Sequence, residues 1–499
     1  MREEVLRMEH VTTDDFEITN LDNMSMHIFK GEIAGLLPID EQGRKKLLEV
    51  LCSNAPLQYG RVYLENDLVN SYLKSGQRAN RVYVISRQNR LIQDLSVCDN
   101  IFVMRRGFRQ YVVNKKILYS EAKRILDQLQ MNIDPGAPAD TLTDYERVVI
   151  ELIEAVVQRS SLIVIDEIGT TLGTQELIRL RELFRYYAGQ GFSFLYIGNH
   201  HEEVLPMCDR TMLMKGGRIV HIVQGEDITD EEILKVAGSA RFPELYLQRE
   251  GVLPAEEEEK KNVQDQTAAL EFRDITTEYL EHLSFSVWPG ECIVLLDRGM
   301  SPDDEILNIV SGDSAKWKGE IICGGKKLKP GQRKFLDESI AIIEEYAHKS
   351  MIFPDLSFMD NLCILMDRKV KGFWMQDKIR KSIRKEYADV FGGNLDVMDM
   401  RKVSKMAKYT LVYYRYYMLR PRVVFCVQPF AGADLYLREH ILDLIQALKK
   451  RGIAVIILTT GSTDASFAAD RLIMLEHGRL VREFQKEEFK YLWENLYKN

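Results

Sequence analysis

At 499 residues the chain exceeds one ordinary domain; at roughly 100–200 residues per domain it holds two or three, each large enough to bury its own core. With 45% hydrophobic and 28% charged residues it is excluded from the disordered, collagen-like and polytopic membrane classes. A net charge of −8 leaves no basic footprint for nucleic acid, so none is expected as a partner.

The seven cysteines are scattered and form no C-x-x-C pair, which predicts free thiols in a reducing compartment and neither a disulfide framework nor a zinc site. The first ten residues contain no apolar run of signal-peptide length. No stretch reaches the roughly 18 uncharged apolar residues of a membrane span. The nearest, residues 409–427, is interrupted by Arg415, Arg420 and Arg422. A cytoplasmic chain is the expectation.

In chain order, residues 31–51 read as a short strand turning into a helix, with Gly43 at the turn. A second helix opens near residue 142 with a hydroxyl at its cap. Residues 162–165 and 192–197 are apolar, β-branched or aromatic runs, and residues 176–187 between them are amphipathic. Residues 423–427 and 453–458 repeat the pattern around a helical stretch at 435–450. Strand, helix, strand with fully apolar strands predicts an α/β fold built on a parallel sheet.

The chain also repeats itself. Gly31 and Glu32 recur as Gly290 and Glu291, and Gly60 as Gly319, both 259 residues on. The run Leu95, Ser96, Asp99, Asn100 recurs 261 residues on as Leu356, Ser357, Asp360, Asn361, and Asp209-Arg210 as Asp470-Arg471. Such an offset is far beyond solenoid periods and marks a duplicated domain. Between the copies, residues 251–261 are Pro-containing and highly charged, as in a solvated tether. The expected division is a first domain at 1–245, a linker at 246–265 and a second domain at 266–499.

The turn at 38–45 lies where a phosphate loop, G-x-x-x-x-G-K-[ST], would lie. Without gaps the positions read Pro38, Gly43, Arg44 and Lys45. Leu142, Thr143, Asp144, Tyr145 and Glu146 open the next helix, Asp166 and Glu167 end the apolar strand at 162–165, and Asn199, His200 and His201 follow the one at 192–197. In this order and spacing the chain, from about residue 6 to 481, resembles the ATP-binding subunits of ABC transporters, and most of all the tandem-domain ATPases of bacterial ribose-, galactose- and xylose-type sugar importers.

The resemblance implies two tandem P-loop NTPase-type domains, each a mixed sheet with flanking helices. It implies ATP as ligand with Mg²⁺, and an integral-membrane permease as partner at the inner face of the cell membrane. It places Gly43, Arg44, Lys45 and Lys46 in the phosphate loop, Phe16 against adenine, and Gln88 at or beside the glutamine loop. Asp166 would hold Mg²⁺ and Glu167 would orient the attacking water, with Asn199 or the adjacent His200 at the switch-histidine position. Thr143 and Ser404 fall at the hydroxyl of the two signature motifs.

Departures from the family pattern are as informative. Lys45 sets an ammonium where a hydroxyl should ligate the metal, and a cation cannot ligate a cation. Asp40 and Glu41 add carboxylates to a loop that should attract phosphate, while Pro38 removes a donor. Asp144 and Tyr145 replace the signature glycines. In the second copy Asp303 and Asp304 stand for the Lys and Ser/Thr, and Val427 and Gln428 for the Walker B carboxylates, yet Pro429, Gly432 and Asp434 persist. Phosphoryl transfer depends on metal and positioning for nearly all its acceleration. Three readings follow: a scaffold that keeps the fold without turnover, a divergent working ATPase using Arg44, Asp166, Glu167 and Ser404, or a metal-free anion-binding module using Arg44, Lys45 and Lys46. The sequence sets neither the solute nor the oligomeric state.

Overall fold

A computed structural model describes residues 3–13, 20–73, 79–87, 90–102, 115–170, 172–199, 201–224, 267–297, 302–313, 316–328, 339–366, 373–459 and 464–489. The chain forms two compact units, Met1–Ser239 and Ala240–Asn499. The expected linker at 246–265 lies outside the described residues.

In the first unit, β1 (Glu4–Thr12), β2 (Met24–Phe29), β4 (Tyr59–Leu64) and β5 (Asp67–Ser71) form an antiparallel sheet in the order β2-β1-β4-β5. Its strands alternate: Met24, Met26 and Ile28 of β2 face inward, as period-two patterning requires of a sheet covered on one side. A second sheet has the order β10-β9-β3-β8-β7-β6, from β3 (Ile33–Pro38), β6 (Val82–Ser86), β7 (Leu162–Asp166), β8 (Phe194–Ile197), β9 (Arg210–Lys215) and β10 (Arg218–Gln224). The pairs from β6 to β9 are parallel, and β10 is antiparallel to β9. Strands β3, β7 and β8 are buried at every position, which is why they read as unbroken apolar runs. The helices are α1 (Arg44–Ser53), α2 (Val97–Phe102), α3 (Lys115–Gln128), α4 (Asp144–Val157), α5 (Thr174–Gly189) and α6 (His201–Met207). Leu6, Val11, Met26, Leu36, Leu47, Val164 and Leu195 belong to one core shared by the two sheets and α1.

The second unit repeats this plan. Strands β11 (Leu270–Thr276), β12 (Leu283–Val287), β14 (Lys318–Cys323) and β15 (Lys326–Lys327) form the antiparallel sheet. The mixed sheet runs β16-β17-β18-β13-β19-β20, from β13 (Cys292–Asp297), β16 (Ile340–Ile343), β17 (Val423–Val427), β18 (Ala454–Thr459), β19 (Arg471–Glu476) and β20 (Arg479–Gln485). Its helices are α7 (Pro302–Ser311), α8 (Ala347–Ser350), α9 (Phe358–Cys363), α10 (Phe373–Glu386), α11 (Ala388–Phe391), α12 (Lys405–Leu419), α13 (Leu435–Lys450) and α14 (Asp464–Ala468). The apolar stretch at 409–427 is thus the end of α12 followed by β17, and among the described residues no helix is long and apolar enough to cross a membrane. The α/β class and duplicated mixed sheet match the sequence expectation; the separate antiparallel sheet in each unit was not read from the sequence.

The duplication extends to backbone detail. Gly60 (φ 97°) and Gly319 (φ 98°) each face an irregularity in the neighbouring strand, where a Cβ would stand 2.5 Å from the Glu9 carbonyl oxygen or 2.3 Å from that of Asp274. Only glycine combines that φ with that approach. A buried ion pair recurs too: Arg210 Nε donates to Glu32 at 2.6 Å, and Arg471 Nε to Glu291 at 2.6 Å.

Candidate functional site

Three neighbouring strands deliver the candidate site. In the order β3-β8-β7, all parallel, the carboxyl ends lie side by side, the usual ligand-binding edge of an α/β sheet. After β3 the chain turns through Gly43, whose φ of 81° suits glycine and whose absent Cβ would lie 2.9 Å from the Gly217 Cα. Helix α1 begins at Arg44. β7 ends on Asp166, and Glu167 follows with φ of 55°. Asn199 lies just beyond β8.

These side chains meet. Arg44 Nη2 donates to Asp166 Oδ1 at 2.9 Å, its Nε reaches the same oxygen at 3.3 Å, and its Nη1 donates to Glu167 Oε1. Asn199 Nδ2 donates to that Glu167 oxygen as well. All three ionic side chains are largely withdrawn from solvent. Burial works against the Arg44 charge, but Glu167 and Asp166 outweigh it and keep the guanidinium firmly protonated. Burial pushes the Asp166 carboxyl above the usual range; Arg44 opposes this and Glu167 adds to it. One cation therefore serves two carboxylates.

The rest of the loop is turned on itself. Asp40, expected to repel phosphate, accepts the Gln42 N–H at 3.1 Å and the Gly216 N–H at 2.9 Å. Its carboxylate uses a backbone donor of the very loop that would otherwise face a phosphate. The Arg44 guanidinium, expected at a phosphate, is turned onto Asp166 and Glu167. The Lys45 side chain is 84% exposed and approaches Glu49 at 3.9 Å. Lys46 pairs with the same Glu49 at 2.9 Å. An i,i+3 or i,i+4 carboxylate on α1 draws both lysines along the helix.

Thr143 and Ser404 serve as N-caps. Thr143 Oγ1 accepts the Glu146 N–H at 3.2 Å while Glu146 accepts the Thr143 N–H at 2.8 Å, a capping box that opens α4. Ser404 Oγ accepts the Ala407 N–H at 3.2 Å and opens α12. Asp144 is turned outward onto Arg147. Phe16, Gln88 and His200 lie outside the described residues.

In the second unit β17 ends on Val427, and Gln428 takes a φ of 43° at the position equivalent to Glu167. Gln428 Oε1 accepts from Thr459 Oγ1 at 3.1 Å, at the end of β18. Among the described residues no group of three or more His, Cys, Asp or Glu side chains is arranged as a metal site.

Residues 21–169 match the family described as ABC transporter. Over 98% of this chain and 96% of its own length, the ribose import ATP-binding protein of Clostridium perfringens (strain SM101) is 23% identical. The xylose import ATP-binding protein of Geobacillus kaustophilus is 22% identical over 98% of this chain and 97% of its own. The galactose/methyl galactoside import ATP-binding protein of Clostridium perfringens (strain 13) is 21% identical over 98% and 95%. Both units, not just one, are matched end to end. Residues 21–169 thus carry the ABC transporter pattern, and over nearly its whole length the chain is similar to ATP-binding proteins of ribose, xylose and galactose import.

Within that pattern, sequence reasoning placed Arg44, Asp166, Glu167 and Asn199 in one loop set, and the structure brings these four together. It missed the self-bonded Asp40 loop and two buried asparagines. Asn100 Nδ2 donates to the carbonyls of Ile92 (3.0 Å) and Ser96 (3.1 Å), and its Oδ1 accepts the Ile92 N–H at 2.8 Å. Asn361 does the same for Phe353 and Ser357, with its Oδ1 accepting the Phe353 N–H at 2.9 Å. Their signal was present in the repeated Leu-Ser-x-x-Asp-Asn run, whose Asn is the one polar residue with no surface role.

Proposed function

We propose that this protein is a non-hydrolysing member of the ABC transporter ATP-binding family, a scaffold or regulatory subunit that keeps the shape of an importer's energising component and docks on a membrane permease at the inner face of the membrane. The observation that carries this reading is the guanidinium of Arg44 seated between Asp166 and Glu167. A metal-bound nucleotide needs the carboxylate of Asp166 turned to the ion and that of Glu167 turned to water. Here both are engaged by a fixed cation that cannot leave with product. Mg²⁺ does not fit beside a guanidinium at that place, for like charges in a partly buried site repel strongly. The second unit supports the same reading, because Val427 and Gln428 offer no carboxylate at all.

The retained pair Asp166–Glu167 favours a second reading, a divergent working ATPase in which ATP displaces Arg44. Phosphate release by the full chain with ATP and Mg²⁺, alone and with membranes containing its permease, separates the two. Equal background for wild type and Glu167→Gln is expected. Release that Glu167→Gln abolishes would overturn the proposal. Thermal shift adds a binding readout: stabilisation by ATP only when Mg²⁺ is present would count for the second reading, since a ligand stabilises only the state that binds it.

A further inference from the structure

We propose that Arg90 and the buried Glu151 form a proton-operated latch on the loop after β6 in the first unit, and that the second unit holds the corresponding loop by a latch that does not titrate.

The two loops are pinned twice each. One pin is common: Asn100 grips Ile92, and Asn361 grips Phe353, by the neutral amide bonds described above. The other pin differs. In the first unit the Arg90 N–H donates to Glu151 Oε1 at 3.2 Å, from a helix residue only 2% exposed. In the second unit, Met351 stands 261 residues after Arg90, and its carbonyl accepts Arg415 Nη1 at 2.6 Å. Arg415, at the position of Glu154, also donates through Nε to the Asn361 carbonyl at 2.6 Å and through Nη2 to Asn361 Oδ1 at 3.2 Å. The same loop position is thus held by a titratable carboxyl in one unit and by a permanent cation in the other.

The surroundings of Glu151 make its charge conditional. Its Oε2 has no hydrogen-bond partner among the described residues. Its neighbour on α4, Glu154, is fully used by the Tyr83 hydroxyl of β6 at 2.6 Å and by Gln158 at 2.8 Å, so it adds negative charge without offering a donor. Among the described residues Arg90, which lies over the Tyr83 ring at 5.3 Å, is the one cation acting on the group. Helix α2, packed on α4, brings Asp99, whose carboxylate accepts the Ser96 hydroxyl at 2.7 Å. Burial raises the Glu151 carboxyl to about 7; the Arg90 N–H and guanidinium oppose this, and Glu154 adds to it. Below that pH the carboxyl is neutral and stays buried while its oxygen accepts the Arg90 N–H; above it the ionised group gains hydration whenever the loop lifts, so deprotonation favours release even though Arg90 partly offsets it. Arg415 is lowered by burial only to about 10, so it stays charged throughout. Its three acceptors are neutral.

Hydrogen–deuterium exchange of the full chain tests this, with rates corrected for the intrinsic effect of pH. At pH 6 the amides of residues 90–92 should be about tenfold better protected than at pH 8, because the closed state binds the Glu151 proton more tightly than the hydrated open state. Residues 351–353 should not respond. Glu151→Gln, neutral at both pH values, should leave 90–92 at the well-protected level throughout. Equal protection of 90–92 in the wild type at the two pH values overturns the proposal, as does a matching response at 351–353 or a Glu151→Gln protein that still responds. The wild-type comparison decides the matter even if the variant fails to fold.

Discussion

The ends of β7 and β17 are the same place built twice. In both, the residue after the strand adopts a positive φ, 55° at Glu167 and 43° at Gln428, and a polar group from the next strand's end reaches back to it: Asn199 in the first unit, Thr459 in the second. What differs is charge. The first unit keeps two carboxylates and cancels them with Arg44; the second has none to cancel. The backbone frame persists because strand pairing and core burial fix it, and those terms are indifferent to which polar side chain projects beyond the strand end. Two opposite charge arrangements fit the same frame.

Substitutions can break this comparison. Arg44→Ala strands two partly buried carboxylates and should cost the first unit about 3–5 kcal/mol near neutral pH, with less loss at pH 5 as the pair takes up protons. Gln428→Ala in the second unit removes one neutral hydrogen bond and should cost about 1 kcal/mol. Denaturant unfolding read by unit-resolved hydrogen exchange checks both, and equal losses would mean that the first site is not held by its ion pairs.

The asparagine pins differ by one bond. Asn100→Ala leaves several buried backbone groups unpaired and should cost about 2–4 kcal/mol; Asn361→Ala does the same and also strips the buried Arg415 Nη2 of an acceptor, so it should cost about 1–2 kcal/mol more. Equal midpoints would show that the Arg415 bond adds nothing to the second loop.

Glu151 sharpens the contrast through pH. Its folded-state value, about 7, lies above the 4.5 of an ordinary Glu, so the folded chain binds more protons than the unfolded one between those limits. Stability from this group is therefore greatest at low pH and is lost as pH rises toward and through 7. Glu151→Gln should remove that slope and, at pH 8, raise the stability of the first unit by on the order of 2 kcal/mol. Chemical denaturation of both proteins at pH 5.5 and 8 measures it; parallel slopes would contradict the assignment. The smallest effect belongs to the caps. Thr143→Ala and Ser404→Ala should each cost about 1 kcal/mol of helix stability, visible as a small and similar shift in Tm.

The legibility of the site followed the same division. The strand-end position of Asp166 and Glu167 could be read from the apolar run before them, and the N-cap role of Thr143 from the hydroxyl three residues ahead of Glu146. The destination of Arg44 could not be read. A basic residue at a helix start faces either an anion or a carboxylate, and the choice depends on which strand end lies next to it. Lys45 shows the same limit: one residue on, the helical rotation carries its side chain away from the site and along α1 toward Glu49. Asp40 could be counted as a charge in the sequence, but its two backbone donors come from its own turn and from Gly216, more than 170 residues away.

The amino-acid sequence alone determined that the chain is a duplicated α/β protein, because apolar periodicity, turn glycines and a fixed repeat offset are local properties that burial and backbone sterics enforce. Only the tertiary structure decided what the charged residues do. Their partners are chosen by strand order, which sets β3 and β7 on either side of β8, and by the low dielectric there, which makes an unpaired charge costly and draws Arg44 onto both carboxylates.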